Sequence, residues 1–229
     1  MVRLYAIFGG IPKYYSLMEK EELFHKPLRE ILDVLILGSN AILKEEVQTI
    51  LSEEFGKNQR IYFSILEAIA SGKTKMSQIC STAGISYTSI PKYLKALCHE
   101  YQVIERLVPV TEEHPWKSKH GIYQIQDHFI RFWFHILYRN SAYLEIGNTK
   151  ILLEKTLQFL PILEGKVFEE IVKTYLISRQ SEFFEFEKTG KWWDRNHEID
   201  IIALNEIQKK ILFVEVKWQN KKTDYRILA

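Results

Sequence analysis

Apolar positions along the chain recur mostly at helical spacing and change to strand-like runs in a few places. PLREILDVLILGS at 27–39 sets Leu28, Ile31, Leu32, Leu35 and Ile36 on one helical face, and AILKEEVQTILSEEF continues the pattern. FGGIPKYYSLM at 8–18 predicts a Gly-Gly-Ile-Pro turn and then a helix start. Further on, IYFSILEAIASG predicts a helix closed by Gly72, and KMSQICSTAG a short one closed by Gly84. SYTSIPKYLKALCHEY predicts a third helix, with Ile90, Tyr93, Leu94, Leu97 and Tyr101 at i, i+3, i+4, i+7 and i+11. VIERLVPVTEE and GIYQIQ then predict two strands joined by the polar loop HPWKSKH. DHFIRFWFHILYRN at 127–140 predicts a helix capped by Asp127, and GKVFEEIVKTYLISRQ at 165–180 another. EIDIIAL at 198–204 and ILFVEVKW at 211–218 predict a final pair of strands.

Together these elements predict an α+β chain. A helical N-terminal arm occupies 1–56 and connecting helices 127–160. Three helices followed by a two-stranded hairpin, in 57–126, is the order of a winged helix; its short helix, Gly turn and longer helix form a helix-turn-helix. An α/β module fills 161–229. The aromatic run Phe129, Phe132, Trp133 and Phe134 invites stacking on single-stranded nucleic acid, but such density more often marks a helix buried between domains.

Charge changes the picture locally. The chain carries +2 overall, so no global field points to nucleic acid. Residues 57–126 hold nine Lys/Arg against five Asp/Glu, while 1–56 hold six against nine. The third helix offers Tyr87, Thr88, Ser89, Lys92 and Lys95, and the hairpin tip adds Lys117, Lys119 and His120. Lysines there would position the protein on phosphates while Ser, Thr and Tyr touch bases. A winged helix used for protein contacts, its lysines solvated, is the other reading. Pro91 fits only in a first helical turn, which starts that helix near Ser89. The acidic N-terminal arm suits a solvated face, self-association or docking on a partner.

The hydrophobic fraction of 46% and charged fraction of 26% are those of an ordinary globular protein. Cys80 and Cys98 lie at apolar helical positions, which predicts two free thiols, a cytoplasmic location and no zinc site. No apolar run reaches membrane-span length, so no membrane partner is expected.

The last two strands carry the candidate chemistry. If 205–210 is a loop, Leu204 faces Ile211, Asp200 falls opposite Glu215, and Glu198 opposite Lys217. All four side chains then share one face. Opposed like charges destabilise a sheet unless something positive lies between them, most simply a divalent metal held by oxygens. Glu169 and Glu170, on the preceding helix, are further carboxylates within the same stretch, or an ordinary acidic pair near a helix N-terminus.

A helix Glu, a strand Asp and Glu-x-Lys on the paired strand resemble the PD-(D/E)XK nuclease superfamily. The resemblance implies that Asp200, Glu215 and Glu169, with Glu170 as the alternate, bind magnesium and that Lys217 assists the attacking water. A second likeness spans nearly the whole chain. FGGIPKYY, ILEAIASGKTKMSQIC, YLKAL, VIERLVPVTE, DHFIRFWFHIL, GKVFEEI, WWDRNHEIDIIAL and ILFVEVKW, in this order, resemble the region after the nucleotide-binding core of archaeal-type ATPases of the AAA+/STAND group. The last part of that region is the domain of unknown function 234. The Walker A pattern is missing, since ASGKTK at 70–75 has one Gly and sits at a helix end, so no ATP binding is expected. Only QNKKTDYRILA follows the Glu-x-Lys strand, and the nuclease-like module therefore reads as C-terminally truncated. Three functions follow: a DNA-binding protein with a nuclease-like module, an active magnesium-dependent DNA endonuclease, or a regulatory tail docking on an ATPase partner.

Overall fold

The structure, a computed structural model, describes residues 1–219. Helix makes up 56% and strand 12%, the strands lie in small antiparallel sheets, and the chain is α+β as its pattern predicts. It forms two compact units: Arg3–Arg106 with Ile122–Leu160, and Leu107–Gly121 with the chain from Pro161 onward.

The first unit is helical. It holds α1 (Val2–Phe8), α2 (Pro12–Lys20), α3 (Leu28–Leu32), α4 (Glu46–Phe55), α5 (Gln59–Ala70), α6 (Met76–Ala83), α7 (Ile90–His99), α8 (His128–Ile136) and α9 (Ser141–Glu145). The predicted helix over 27–39 exists, but α3 widens into a π turn at Asp33–Leu37, where the Gly38 N–H bonds to the Asp33 carbonyl. Apolar spacing does not distinguish the two ladders. β1 (Ile104–Leu107) and β2 (Ile122–Ile125) form a two-stranded sheet, and the Tyr123 N–H donates to the Thr74 carbonyl between α5 and α6.

α8 supplies the core of this unit. The Asp127 carboxylate accepts the Ile130 N–H at 2.7 Å, capping the helix as the sequence predicts. Phe129 stacks near Phe8, with ring centroids 5.7 Å apart, and meets Tyr14 edge-on at 5.0 Å. On its other side Phe134 meets Phe63 of α5 at 5.4 Å. The aromatic helix is therefore buried inside one unit and not between two. Its rings fill the space among α1, α2 and α5 and are not offered to a base. Most of the apolar residues of 28–51 are buried as well, with Val34, Ile42 and Ile50 partly exposed.

α10 (Thr149–Ser178) passes from the first unit into the second and contains Pro161. The sequence predicts two helices here; one is found. A proline removes a single rung of the ladder, and the apolar spacing that continues on both sides keeps the helix going.

The second unit has a three-stranded antiparallel sheet: β3 (Lys188–Trp193), β4 (Glu198–Asn205) and β5 (Lys210–Val214), in the order β3-β4-β5. β4 is central, and Ile201 to Asn205 are buried without alternation, as expected for a strand covered on both faces. The stretch Leu107–Gly121 lies along β3, and its Val110 N–H donates to the Lys191 carbonyl at 2.9 Å. That bond covers part of an edge strand.

Candidate carboxylate and lysine site

The predicted register is present: Leu204 pairs with Ile211 and Ile201 with Val214. The turn is two residues shorter than expected, because Asn205 also pairs with Lys210. The Asn205 side chain accounts for this, donating to the Glu185 carbonyl and accepting the Gln208 N–H across the turn. The ladder stops at Val214, so neither Asp200 and Glu215 nor Glu198 and Lys217 are strand partners. Asp200 has a different partner. Its Oδ2 accepts the Val216 N–H at 2.8 Å, which holds the segment after β5 against β4 by a side chain instead of a main-chain rung.

The pairing of β3 with β4 is irregular at the same level. Gly190 faces Ile202, but Trp192 faces Ile199, so Lys191 alone opposes two residues, Asp200 and Ile201. This is a β-bulge, which sharpens local twist and re-aims the side chains beside it. The Lys191 ammonium reaches Glu198 Oε1 at 2.8 Å and Glu169 Oε2, on α10, at 2.9 Å. Glu198 is thus neutralised by Lys191 and not by Lys217, whose ammonium bonds to Glu215 Oε1.

Burial pushes the Glu169 carboxyl above its ordinary range; Lys191 pulls it back, while the Asp200 and Glu198 charges add to the rise. For Lys191 burial acts against the charge, but the Glu198 and Glu169 carboxylates outweigh it and raise the pKa. Lys217 is raised first by its bond to Glu215, then by the charges of Glu215, Asp200 and Glu169. Glu169 and Lys217 therefore both lie within electrostatic reach of Asp200. Glu170 is half-buried one residue on, and its carbonyl accepts the Thr174 hydroxyl.

The oxygen donors suit a hard divalent cation by type. They are not gathered, however: among the described residues no three His, Cys, Asp or Glu side chains are arranged to hold a metal. Glu169 is engaged by Lys191, Asp200 by the Val216 N–H, and Glu215 by Lys217. In this conformation the residues do not fit magnesium.

Sequence reasoning missed Lys191. The usable signal is Gly190, since a glycine inside a strand marks a bulge or a close backbone approach. It also missed Glu164, which is buried on α10 and accepts the Trp218 indole N–H at 2.9 Å, while the Trp218 ring lies against Phe168.

The predicted nucleic-acid residues fall in both units. In the first, Ser86 bonds to the Ser89 and Thr88 hydroxyls in the turn before α7, and Tyr87 is exposed. α7 begins at Ile90 with Pro91 in its first turn, as predicted. Lys92 lies over the Tyr93 ring, and Lys95 borders an open cavity of about 320 Å³ between α7 and the two strands. In the second unit Lys117 and Lys119 are exposed, as is Trp116.

The carboxylate site lies in a stretch with a described family. Residues 133–227 match DUF234, archaea bacterial proteins of unknown function. The chain is also similar to Uncharacterized protein MJECL04 of Methanocaldococcus jannaschii, with 39% identity over 227 residues. That alignment covers 97% of this chain and 48% of the relative, so the chain spans about half the length of the curated relative it matches. No solved structure matches it significantly. Glu164, Glu169, Lys191, Asp200 and Lys217 all fall within the DUF234 match. Among the described residues no helix is long and apolar enough to cross a membrane.

Proposed function

We propose that this chain is a DNA-binding protein. In this reading α5, α6, α7, β1 and β2 form a winged helix, and the second unit is a PD-(D/E)XK nuclease-like module from an archaeal-type ATPase family, without an ATP site of its own. The observation that carries it is the exposed start of α7. The Ser86, Tyr87, Thr88 and Ser89 turn leads into a helix whose solvent side bears Lys92 and Lys95. Hydroxyls and ammonium groups at one helix end offer donors to phosphates and base edges together.

Binding is favoured over cutting because all three predicted metal ligands already have partners in the protein. Cutting is the second reading. It is favoured by residue type: Asp200, Glu215 and Lys217, with Lys217 bonded to Glu215, are the kinds of group a metal-dependent nuclease would use.

The test is fluorescence anisotropy with a duplex at several salt concentrations between about 50 and 200 mM. Affinity is expected to fall with salt, and the Lys92→Ala, Lys95→Ala double variant to flatten the log–log slope by roughly 2. Binding that ignores salt, or an unchanged slope in the double variant, would overturn the reading. Plasmid nicking with manganese, compared between wild type and Asp200→Ala, decides between binding and cutting.

A further inference from the structure

Trp116 is 73% exposed, although an indole ring gains much from burial. The loop that carries it, within Leu107–Gly121, is ordered by its own bonds. Pro115, Trp116 and Lys117 form a single 3-10 turn, closed by the Lys117 N–H on the His114 carbonyl at 2.9 Å. The Ser118 hydroxyl donates to Glu112 Oε1 at 2.9 Å and accepts the His120 N–H at 3.0 Å. At the base of the loop, the Val110 N–H ties it to β3. The Trp116 ring leans on His114, with centroids 5.6 Å apart, and leaves most of its surface to solvent. A ring with two rotatable bonds on a pre-set turn loses little freedom when a partner stacks on it.

The neighbours of the ring decide what that partner is. The sequence around it, EHPWKSKH, holds no Leu, Ile, Val or Met. Lys117, Lys119 and His120 are exposed, and with His114 they border an open cavity of about 640 Å³. Glu112 and Glu113 border it too, but Glu112 is taken up by the Ser118 hydroxyl and the Glu113 charge acts on Lys188 of β3. An aromatic face set among ammonium groups, with no aliphatic companion, suits a nucleobase between phosphates better than an apolar protein surface.

We propose that Trp116 stacks on an unpaired nucleobase, with Lys117 and Lys119 on the flanking phosphates, so that this chain prefers DNA with bulged or single-stranded positions to fully paired duplex. A paired base offers its faces only to its neighbours in the stack, and opening that stack costs free energy that an unpaired base does not demand. The inference rests on the DNA-binding reading and adds to it the kind of DNA.

The test is fluorescence anisotropy with two labelled DNAs of equal length, one fully paired and one with a central single-stranded bulge. Wild type is expected to bind the bulged DNA about ten-fold tighter, Trp116→Ala to lose that preference, and Trp116→Phe to keep most of it. The Lys117→Ala, Lys119→Ala double variant should flatten the log–log salt slope by roughly 2. Equal melting temperatures of wild type and Trp116→Ala would show that the lost preference is not a lost fold. No preference in wild type, or one that survives Trp116→Ala, would overturn the stacking and leave DNA binding standing. No binding of either DNA would overturn both.

Discussion

Asp200 Oδ2 accepts the Val216 N–H at 2.8 Å, two residues past the last paired position of β5. A central-strand carboxylate thus completes by side chain what the ladder leaves open. Hydrogen bonds to a charged acceptor contribute about 1.5–3 kcal/mol, so Asp200→Ala is expected to lose about that much stability and Asp200→Asn clearly less. Urea unfolding followed by tryptophan fluorescence measures both. A loss in Asp200→Ala no larger than in an exposed control such as Glu206→Ala would mean that the bond contributes nothing.

The Lys191 bridge has a defined pH window. Its folded pKa lies above the ordinary lysine value of 10.5, so its stabilisation is fully present below that pH and is lost as pH rises through the folded value. Melting temperatures from neutral pH to about pH 11 should therefore fall more steeply for wild type than for Lys191→Met. Parallel curves would show that the bridge does not stabilise the second unit.

In the first unit, replacing Asp127 by Ala removes the acceptor of the Ile130 N–H and should cost about 1 kcal/mol. Asp127→Ser, which can also cap, should recover most of it. Denaturant midpoints at constant m-value are the measurement.

Phe129 is fully buried between Phe8, Tyr14 and Phe132. Phe129→Ala should therefore destabilise by about 3–5 kcal/mol through lost burial and the cavity left behind, and Phe129→Leu by much less. A loss under about 1 kcal/mol for the alanine variant would contradict a tight aromatic core.

The elements whose boundaries rest on local chemistry were legible in the sequence. Asp127 announces α8, and Gly84 closes α6 at φ 66°, a conformation that glycine takes without steric cost. Pro91 sets the start of α7. The Leu204 and Ile211 pairing followed from placing the loop between the two strands at 205–210, although the turn proved shorter. What was not legible depends on which neighbour wins a competition. Alternation puts Glu198 opposite Lys217, but it cannot reveal the bulge that lets Lys191 reach Glu198 first. Nor does spacing show that Asp200 bonds to a main-chain N–H, that α3 passes into a π turn, or that one helix runs through Pro161. The final residues of the predicted truncated end, from 220 onward, lie outside the described residues.

The bond from Val110 to the Lys191 carbonyl joins segments far apart in the chain, and the second unit is assembled from both. On a ribosome Leu107–Gly121 must therefore wait for β3 and β4 to emerge before it can close on them, a long-range closure that slows folding. A fragment that starts at Pro161 would present the edge of β3 bare, so its solubility should fall when Leu107–Gly121 is left behind.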